Sequence, residues 1–94
     1  YSGTKAAVDQ ISRVLAQELG PKGIRVNVLS PGATDDTDMG VRMGKAIREK
    51  VIAQTPLRRI GEVDDISKVA LFLACDDSAW VTGQIVQASG GYRL

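Results

Sequence analysis

The longest amphipathic pattern in the chain covers residues 2–19, where apolar side chains recur at steps of three and four. This spacing places them on one face of an α-helix, whose period is about 3.6 residues. The face consists of Val8, Ile11, Leu15 and Leu19, widened by Ala7 and Val14. Gly20-Pro21 follows, and this pair commonly ends a helix because Gly permits the final turn and Pro cannot continue it. The sequence therefore predicts a helix over residues 2–19.

A period of two replaces the helical period over residues 24–30. Ile24, Val26 and Val28 alternate with polar neighbours, and Pro31-Gly32 ends the pattern. The segment is seven residues long, which suits a strand better than a helix. We therefore expect a strand over residues 24–30.

Two further helical patterns and one strand pattern follow. A step of four between apolar residues predicts a short helix over about 43–54, and an apolar stripe predicts another helix over 63–75. Two aspartates fall in the first turn of the latter helix, where carboxylates complement the helix dipole. Residues 84–88 predict a short strand, which Ser89-Gly90-Gly91 ends.

The predicted order, helix-strand-helix-helix-strand, indicates an α/β fold. Two strands separated by helices pair in parallel through a crossover, and a parallel sheet is normally covered on both faces. A doubly wound domain of six strands needs roughly 180 residues, at about 30 for each strand–helix unit. We therefore expect residues 1–94 to form the C-terminal portion of one doubly wound parallel-sheet domain, with no internal boundary.

The composition excludes several kinds of site. The chain has no His and one Cys, so it can form neither a His-containing catalytic triad nor an internal disulfide. Cys75 ends an apolar stripe, where it fits a small buried residue. Asp35, Asp36 and Asp38 lack the spacing of a calcium loop, so we expect a solvated loop and no metal site.

Charge and hydropathy limit the partners of the chain. Its 12 basic and 11 acidic residues give a net charge of +1, which offers no electrostatic basis for binding nucleic acid or an anionic membrane. The longest apolar stretch, residues 69–75, is far shorter than the roughly 20 residues of a membrane-spanning helix. A single cysteine is compatible with a reducing compartment, and we expect a cytoplasmic protein.

Tyr1 and Lys5 are the strongest candidates for chemistry. Four residues apart on a helix, their side chains share one face about one turn apart. The Lys5 ammonium group would stabilise a phenolate and lower the pKa of Tyr1 from its ordinary value of about 10, which suits a general acid or base. An ordinary surface pair at the start of a helix explains the same spacing.

The turn Pro31-Gly32-Ala33-Thr34 is the second candidate. Ligands of open α/β sheets bind outside the carboxyl ends of the strands, and Gly32 would let the backbone approach a ligand closely. A simple turn at the end of a strand is the alternative. Arg58-Arg59 could hold an anionic substrate group but fits a solvated or intersubunit pair better, and Trp80 fits packing better than binding.

Several short motifs follow one another along the whole chain. They are Tyr1-Ser2-Gly3-Thr4-Lys5-Ala6-Ala7, the run from Gly23 to Gly32, the run from Pro56 to Glu62 with Asp65-Ile66, Phe72-Leu73-Ala74, Thr82-Gly83-Gln84 and Gly90-Gly91. In order and spacing they resemble the motifs of the short-chain dehydrogenase/reductase family. The resemblance implies the C-terminal half of a Rossmann-type NAD(P)-binding domain.

The resemblance implies hydride transfer between a nicotinamide cofactor and a carbonyl or alcohol substrate. The cofactor is NAD or NADP, with NADP slightly favoured. In such enzymes the Tyr exchanges a proton with the substrate oxygen, so Tyr1 is the expected acid/base. Lys5 would lower the pKa of Tyr1 and hydrogen-bond the nicotinamide ribose, and both side chains would contact the cofactor. The expected substrates are 3-oxoacyl thioesters, or ketones and aldehydes in general, and the expected assembly is a homodimer or homotetramer.

The resemblance also assigns cofactor contacts to the turn after the first strand. Pro31-Gly32-Ala33 would lie along the nicotinamide, while the backbone of Thr34 and the hydroxyl of Thr37 would hold its carboxamide. Residues of about 38–55 would form a mobile lid over the substrate. The chain departs from the family at Asp36, where the family has a Thr, so Thr37 comes one residue late. Either the loop bulges there or Thr37 is not the carboxamide contact.

The family's glycine-rich phosphate loop and catalytic Ser precede its Tyr, and this sequence contains neither segment. We therefore expect the isolated 94 residues to be inactive and to bind no dinucleotide tightly. The alternative is a non-catalytic oligomerisation or interaction module, or part of a pseudoenzyme, that keeps the family's assembly surfaces.

Overall fold

The computed structural model describes residues 2–35 and 43–92. Within these ranges the chain forms three α-helices and two strands in the predicted order. They are α1 (Ser2–Leu19), β1 (Val28–Pro31), α2 (Lys45–Gln54), α3 (Val63–Ala74) and β2 (Ile85–Ala88). The three predicted helices are confirmed, with bounds that differ by at most two residues from those expected.

The strands β1 and β2 pair in a two-stranded sheet. The Val28 N–H donates to the Gln84 carbonyl at 2.8 Å, and the Gly32 N–H donates to the Ala88 carbonyl at 2.9 Å. Donor and acceptor both advance by four residues between these two bonds, so the strands run parallel. The predicted α/β fold with a parallel strand pair is confirmed.

The strand β1 begins later than the strand predicted over residues 24–30 and ends one residue further on. Side chains replace ladder bonds before it begins: Thr82 Oγ1 accepts from the Val26 N–H, and Asn27 Oδ1 accepts from the Gln84 N–H, both at 3.0 Å. These bonds satisfy backbone groups without a regular ladder. Alternation of apolar residues therefore locates the extended segment but not the start of strand pairing.

A buried serine and a guanidinium group close the carboxyl end of α3. Ser78 is fully buried and donates from Oγ to the Leu73 carbonyl at 3.1 Å. Arg25 donates to Ser78 Oγ at 2.9 Å and to the Cys75 carbonyl at 3.3 Å. A cation beside the last carbonyls of a helix satisfies their hydrogen bonding and complements the helix dipole.

The structure falls into two compact units, Tyr1–Leu29 with Leu71–Val86 and Ser30–Ala70 with Gln87–Leu94. Among the described residues, few apolar side chains are buried. Ala16 in the first unit is 5 % exposed, and Ile60 in the second is 6 % exposed.

The apolar face predicted on α1 is not covered by the residues that the structure describes. Val8 is 50 % exposed and Ile11 is 57 % exposed. Periodicity identifies the apolar face of a helix but does not identify the partner that covers it. Two packing expectations are also wrong within this chain. Trp80 is 99 % exposed instead of packed, and Cys75 is half-buried instead of buried.

Residues 2–35 and 43–92 contain neither a membrane-spanning helix nor a cluster of metal-binding side chains. No helix in these ranges has the length and apolar character needed to cross a membrane. The same residues hold no group of three or more His, Cys, Asp or Glu side chains placed to bind a metal ion. Asp36 and Asp38, of the predicted solvated loop, lie outside the described residues.

Candidate active site

The last residue of β1 and the four residues after it form a turn held by Gly61, and we call these residues, 31–35, the β1 turn. The Gly61 N–H donates to the Ala33 carbonyl at 3.0 Å, and the Asp35 N–H donates to the Gly61 carbonyl at 2.9 Å. Thr34 and Gly61 thereby form a parallel bridge. Because both bonds use main-chain atoms, they fix the path of the chain at the carboxyl end of β1, where open α/β sheets bind ligands.

Thr34 is the buried side chain of the β1 turn, at 4 % exposure. Its Oγ1 donates to the Gly32 carbonyl at 2.9 Å. The hydroxyl therefore supports the shape of the turn itself. The expected contact between the Thr34 backbone and a nicotinamide carboxamide stays a prediction.

Gly32 is required by the packing of the β1 turn against the end of β2. A Cβ atom added to Gly32 would lie 2.8 Å from both the Cα and the Cβ of Ser89, closer than side-chain carbons approach. The Cα belongs to the backbone and cannot rotate away. The sequence predicts that Gly32 lets the backbone approach a ligand closely. The contact between Gly32 and Ser89 is a second reason why this position is a glycine.

The loop that carries Gly61 is held by Arg59 and Asp65. Arg59 donates to the two carboxylate oxygens of Asp65 at 2.6 and 3.0 Å. Asp65 Oδ2 also accepts from the Glu62 N–H at 2.8 Å, which is the bond that the third residue of a helix makes in a capping box. The Arg59 hydrogen bonds, followed by the Glu62 N–H, lower the pKa of Asp65 from 3.8 to about 2.

Arg59 is thus paired within its own chain and its side chain is 53 % exposed, which agrees with the expectation of a solvated pair. The alternative of an intersubunit pair stays a prediction. The neighbouring Arg58 donates to the Ala53 carbonyl. Arg58 also has a positive φ of 59°, which is uncommon for a residue other than Gly. Both guanidinium groups already donate hydrogen bonds within the chain, so neither forms a preorganised binding site for an anionic substrate.

The end of α2 packs against the turn that follows β2. The Leu57 N–H donates to the Gly90 carbonyl at 3.1 Å. Gly91 has a φ of 90°, and a Cβ added there would lie 2.8 Å from Pro56 Cγ. Thr55, which is 2 % exposed, donates from Oγ1 to a carbonyl of the last turn of α2 at 2.6 Å.

A second ion pair joins the β1 turn to α2. Arg48 donates to the two carboxylate oxygens of Asp35 at 2.6 and 3.1 Å. Hydrogen bonding by Arg48 lowers the pKa of Asp35 below its ordinary value, and the same contact raises the pKa of Arg48. The sequence does not predict this pair, because a contact across 13 residues follows no helical or strand period.

A cavity of about 480 Å³ lies within the second unit, between the β1 turn and the loop before α3. Its polar lining includes Arg59, Asp65, Gln87 and Ser89, and its apolar lining includes Ala33, Pro56, Leu57, Ile66 and Ala88. The volume is in the range of small-molecule pockets. Because Arg59 and Asp65 neutralise each other, the lining offers little net charge.

Comparison with known proteins identifies the family. The family model described as enoyl-(acyl carrier protein) reductase matches residues 1–93. The 3-oxoacyl-(acyl-carrier-protein) reductase of Pseudomonas aeruginosa is 43 % identical over 94 residues, which are 100 % of this chain and 38 % of that protein. The chain belongs to the short-chain dehydrogenase/reductase family.

Other members extend the match to sequence and structure. An uncharacterised oxidoreductase of Methylorubrum extorquens is 53 % identical over 95 residues, which cover 99 % of this chain and 38 % of that protein. The crystal structure of a hydroxysteroid dehydrogenase from Escherichia coli superposes with a TM-score of 0.93 at 39 % identity, covering 100 % of this chain and 39 % of that one. The chain thus spans under two fifths of the length of these relatives.

The residues that the family resemblance assigned fall into three groups. Pro31, Gly32, Ala33 and Thr34 all lie in the β1 turn of the second unit, with Pro31 exposed. Lys5 is half-buried on α1 in the first unit. The other two assigned residues, Tyr1 and Thr37, lie outside the described residues. The roles of all seven stay predictions.

Replacing Gly32 with Ala tests the packing at the end of the strands. We expect Gly32→Ala to lower the free energy of unfolding by about 1–3 kcal/mol, because the new methyl group must displace the Ser89 backbone. Chemical denaturation of the purified protein measures this change. The control is Gly20→Ala, since a Cβ at Gly20 meets nothing within 4 Å. Equal stability of the two variants would contradict the steric explanation.

The lowered pKa of Asp65 predicts an acid-dependent loss of stability. A carboxylate with a lower pKa in the folded state than in the unfolded state stabilises the protein above the unfolded value, and this contribution fades as the pH falls from about 4 toward 2. We expect Asp65→Asn to destabilise the protein at pH 7 and to approach the wild-type stability near pH 2. Denaturation midpoints measured across this range test the prediction.

The matched control for Asp65 is Asp64→Asn, which removes a carboxylate from the same helical turn. Asp64 pairs with Lys68 on the exposed surface and lacks the backbone contact of Asp65. We expect this variant to change stability little at any pH. A difference between wild type and Asp65→Asn that stays constant from pH 7 to pH 2 would refute the role given to the carboxylate.

Proposed function

We propose that the chain is the C-terminal part of an NAD(P)-dependent oxidoreductase that transfers a hydride between NAD(P)(H) and a carbonyl or alcohol. The observation that carries the proposal is the β1 turn. Two backbone hydrogen bonds to Gly61 hold it at the carboxyl end of a parallel strand pair, where the family motifs assign the nicotinamide contacts. Coverage of under two fifths of the relatives' length supports the placement within a larger domain.

The residues of the β1 turn suit the nicotinamide end of the cofactor. Pro31 is exposed, so its ring is accessible to a planar group, and Gly32 adds no side chain that would obstruct it. When bound, the nicotinamide supplies or accepts the hydride. The backbone of Thr34 would orient the carboxamide, and the hydroxyl of Thr37 would add a contact. Fixed hydrogen-bonding groups of this kind lower the barrier by holding the reacting carbon in place.

Tyr1 moves the proton of the reaction. In the direction of reduction, the Tyr1 hydroxyl donates its proton to the substrate oxygen as the carbonyl carbon gains the hydride, and in oxidation the phenolate takes the proton back. Lys5, four residues after Tyr1 in the sequence, would stabilise the phenolate by its positive charge and hydrogen-bond the nicotinamide ribose. A lowered pKa brings Tyr1 closer to working pH, where a general acid or base is most effective.

The names of the relatives support the class of substrate. One is a reductase of a 3-oxoacyl group and another is a hydroxysteroid dehydrogenase, so a ketone and an alcohol are both represented. We propose a 3-oxoacyl thioester, or a ketone or aldehyde in general, as the substrate, with NADP slightly favoured as the cofactor. We further propose a cytoplasmic homodimer or homotetramer.

A non-catalytic interaction module is the second candidate function. The observation that favours it is the apolar face of α1, where Val8, Ile11 and Leu15 are all exposed. Exposed apolar surface of this kind is typical of association surfaces. Gel filtration combined with titration by nicotinamide dinucleotides separates the two candidates, since a module forms oligomers without cofactor affinity and an enzyme binds the cofactor.

Replacing the proposed acid/base tests the mechanism. In the full-length protein, we expect Tyr1→Phe to reduce kcat by about 10²–10⁴-fold, because the ring is kept but the exchangeable proton is lost. Nicotinamide absorbance at 340 nm follows turnover, and fluorescence titration with NAD(P)H measures cofactor binding, which should change little. Turnover at the wild-type rate would refute the role of Tyr1.

The isolated chain provides a further test. We expect the 94 residues alone to bind neither NAD(H) nor NADP(H) tightly and to show no turnover, because they contain no glycine-rich phosphate loop. Isothermal titration calorimetry of the isolated chain and of the full-length protein makes the comparison. Micromolar binding by the isolated chain would show that the loop is not needed.

A further inference from the structure

The Asp35–Arg48 pair has the geometry of a specific contact. Arg48 bonds both carboxylate oxygens through two different nitrogens, at 2.6 and 3.1 Å. A two-bond arrangement of this kind fixes the relative orientation of the two planar groups as well as their distance. Its side chains are 39 % and 42 % exposed, so the pair is partly accessible to water and salt.

The two partners lie in segments that are held by different contacts. Asp35 is the last residue of the β1 turn, and its own N–H is bonded to the Gly61 carbonyl. Arg48 lies in the first half of α2, a helix with no buried residue among its ten. Ile47, beside Arg48, is 60 % exposed. Because α2 has little apolar burial to hold its first half, a side-chain tether has more influence there than on a well-packed helix.

From these contacts we propose that Arg48 and Asp35 are positioning residues for the nicotinamide end of the cofactor. Their pair ties α2 to the β1 turn and adds a side-chain restraint at Asp35, one residue after Thr34, to the main-chain bonds with Gly61 that hold the turn. The inference rests on the proposed function, since it concerns how that site binds NAD(P)(H). It predicts that loss of the pair raises the KM for the cofactor more than it lowers kcat.

Single and double substitutions in the full-length protein test the pair. We expect Asp35→Asn and Arg48→Met each to raise the cofactor KM by about five- to tenfold, and the double variant to be no worse than either, because the second change finds no contact left to remove. Arg48→Lys should recover part of the loss, since Lys keeps the charge but not the two-bond geometry. Steady-state kinetics at varied NAD(P)H with saturating carbonyl substrate gives both constants.

Salt dependence adds a readout that a purely structural role would not give. The pair is partly exposed, so raising NaCl should screen it and raise the wild-type cofactor KM, while the double variant should respond less. The matched control is Lys68→Met, which breaks the exposed Asp64–Lys68 pair on α3 at 2.8 Å. We expect its cofactor KM and its salt response to equal those of the wild type.

The outcomes separate this inference from the function on which it rests. A wild-type protein with neither cofactor binding nor turnover overturns both. An active wild type whose Asp35→Asn and Arg48→Met variants keep the wild-type cofactor KM overturns the positioning role alone. Variants with a lower kcat and a lower thermal stability but an unchanged cofactor KM also overturn the positioning role, because such a result is expected of a contact that only stabilises the fold.

Discussion

The β1 turn depends on two main-chain hydrogen bonds, between Gly61 and the residues Ala33 and Asp35. A side-chain contact disappears when its residue changes, whereas these bonds persist as long as the two backbone segments follow the same paths. The site is therefore governed by what sets those paths. On one side, Gly32 lies so close to Ser89 that any side chain would separate the strand ends. On the other, the ion pair of Arg59 fixes the loop before α3.

The helices could be predicted closely from the sequence because their signals are local. An apolar period and a Gly-Pro stop define α1 within the segment itself, and the same holds for α3 with its acidic first turn. The start of β1 could not be predicted in this way. It is decided by the side chains of Asn27 and Thr82, which take over backbone bonds across more than 50 residues of sequence. Alternation of apolar and polar residues predicts an extended chain but does not predict which groups it hydrogen-bonds.

The position of the β1 turn could be predicted from the sequence, but the contacts that hold the turn could not. The β1 turn follows from a general rule about strand ends and from the family motifs, so residues 31–34 could be named from the sequence. The contacts of Arg48 and Gly61 could not, since both reach the turn from segments that are distant along the chain. The expected packing of Trp80, which is wrong within this chain, fails for the same reason. Residue type and spacing say little about which distant group meets a side chain.

Polar side chains are a large part of what is buried in the described residues. Among the described residues, Thr34, Thr55 and Ser78 are buried as deeply as the apolar Ala16 and Ile60. Each of the three donates to a backbone carbonyl, so these side chains stabilise turns and helix ends instead of filling a core. Hydrogen bonds and ion pairs are directional, whereas apolar contacts tolerate sliding. A turn held mainly by directional contacts can present its backbone groups to a cofactor in one orientation even where little apolar surface is buried around it.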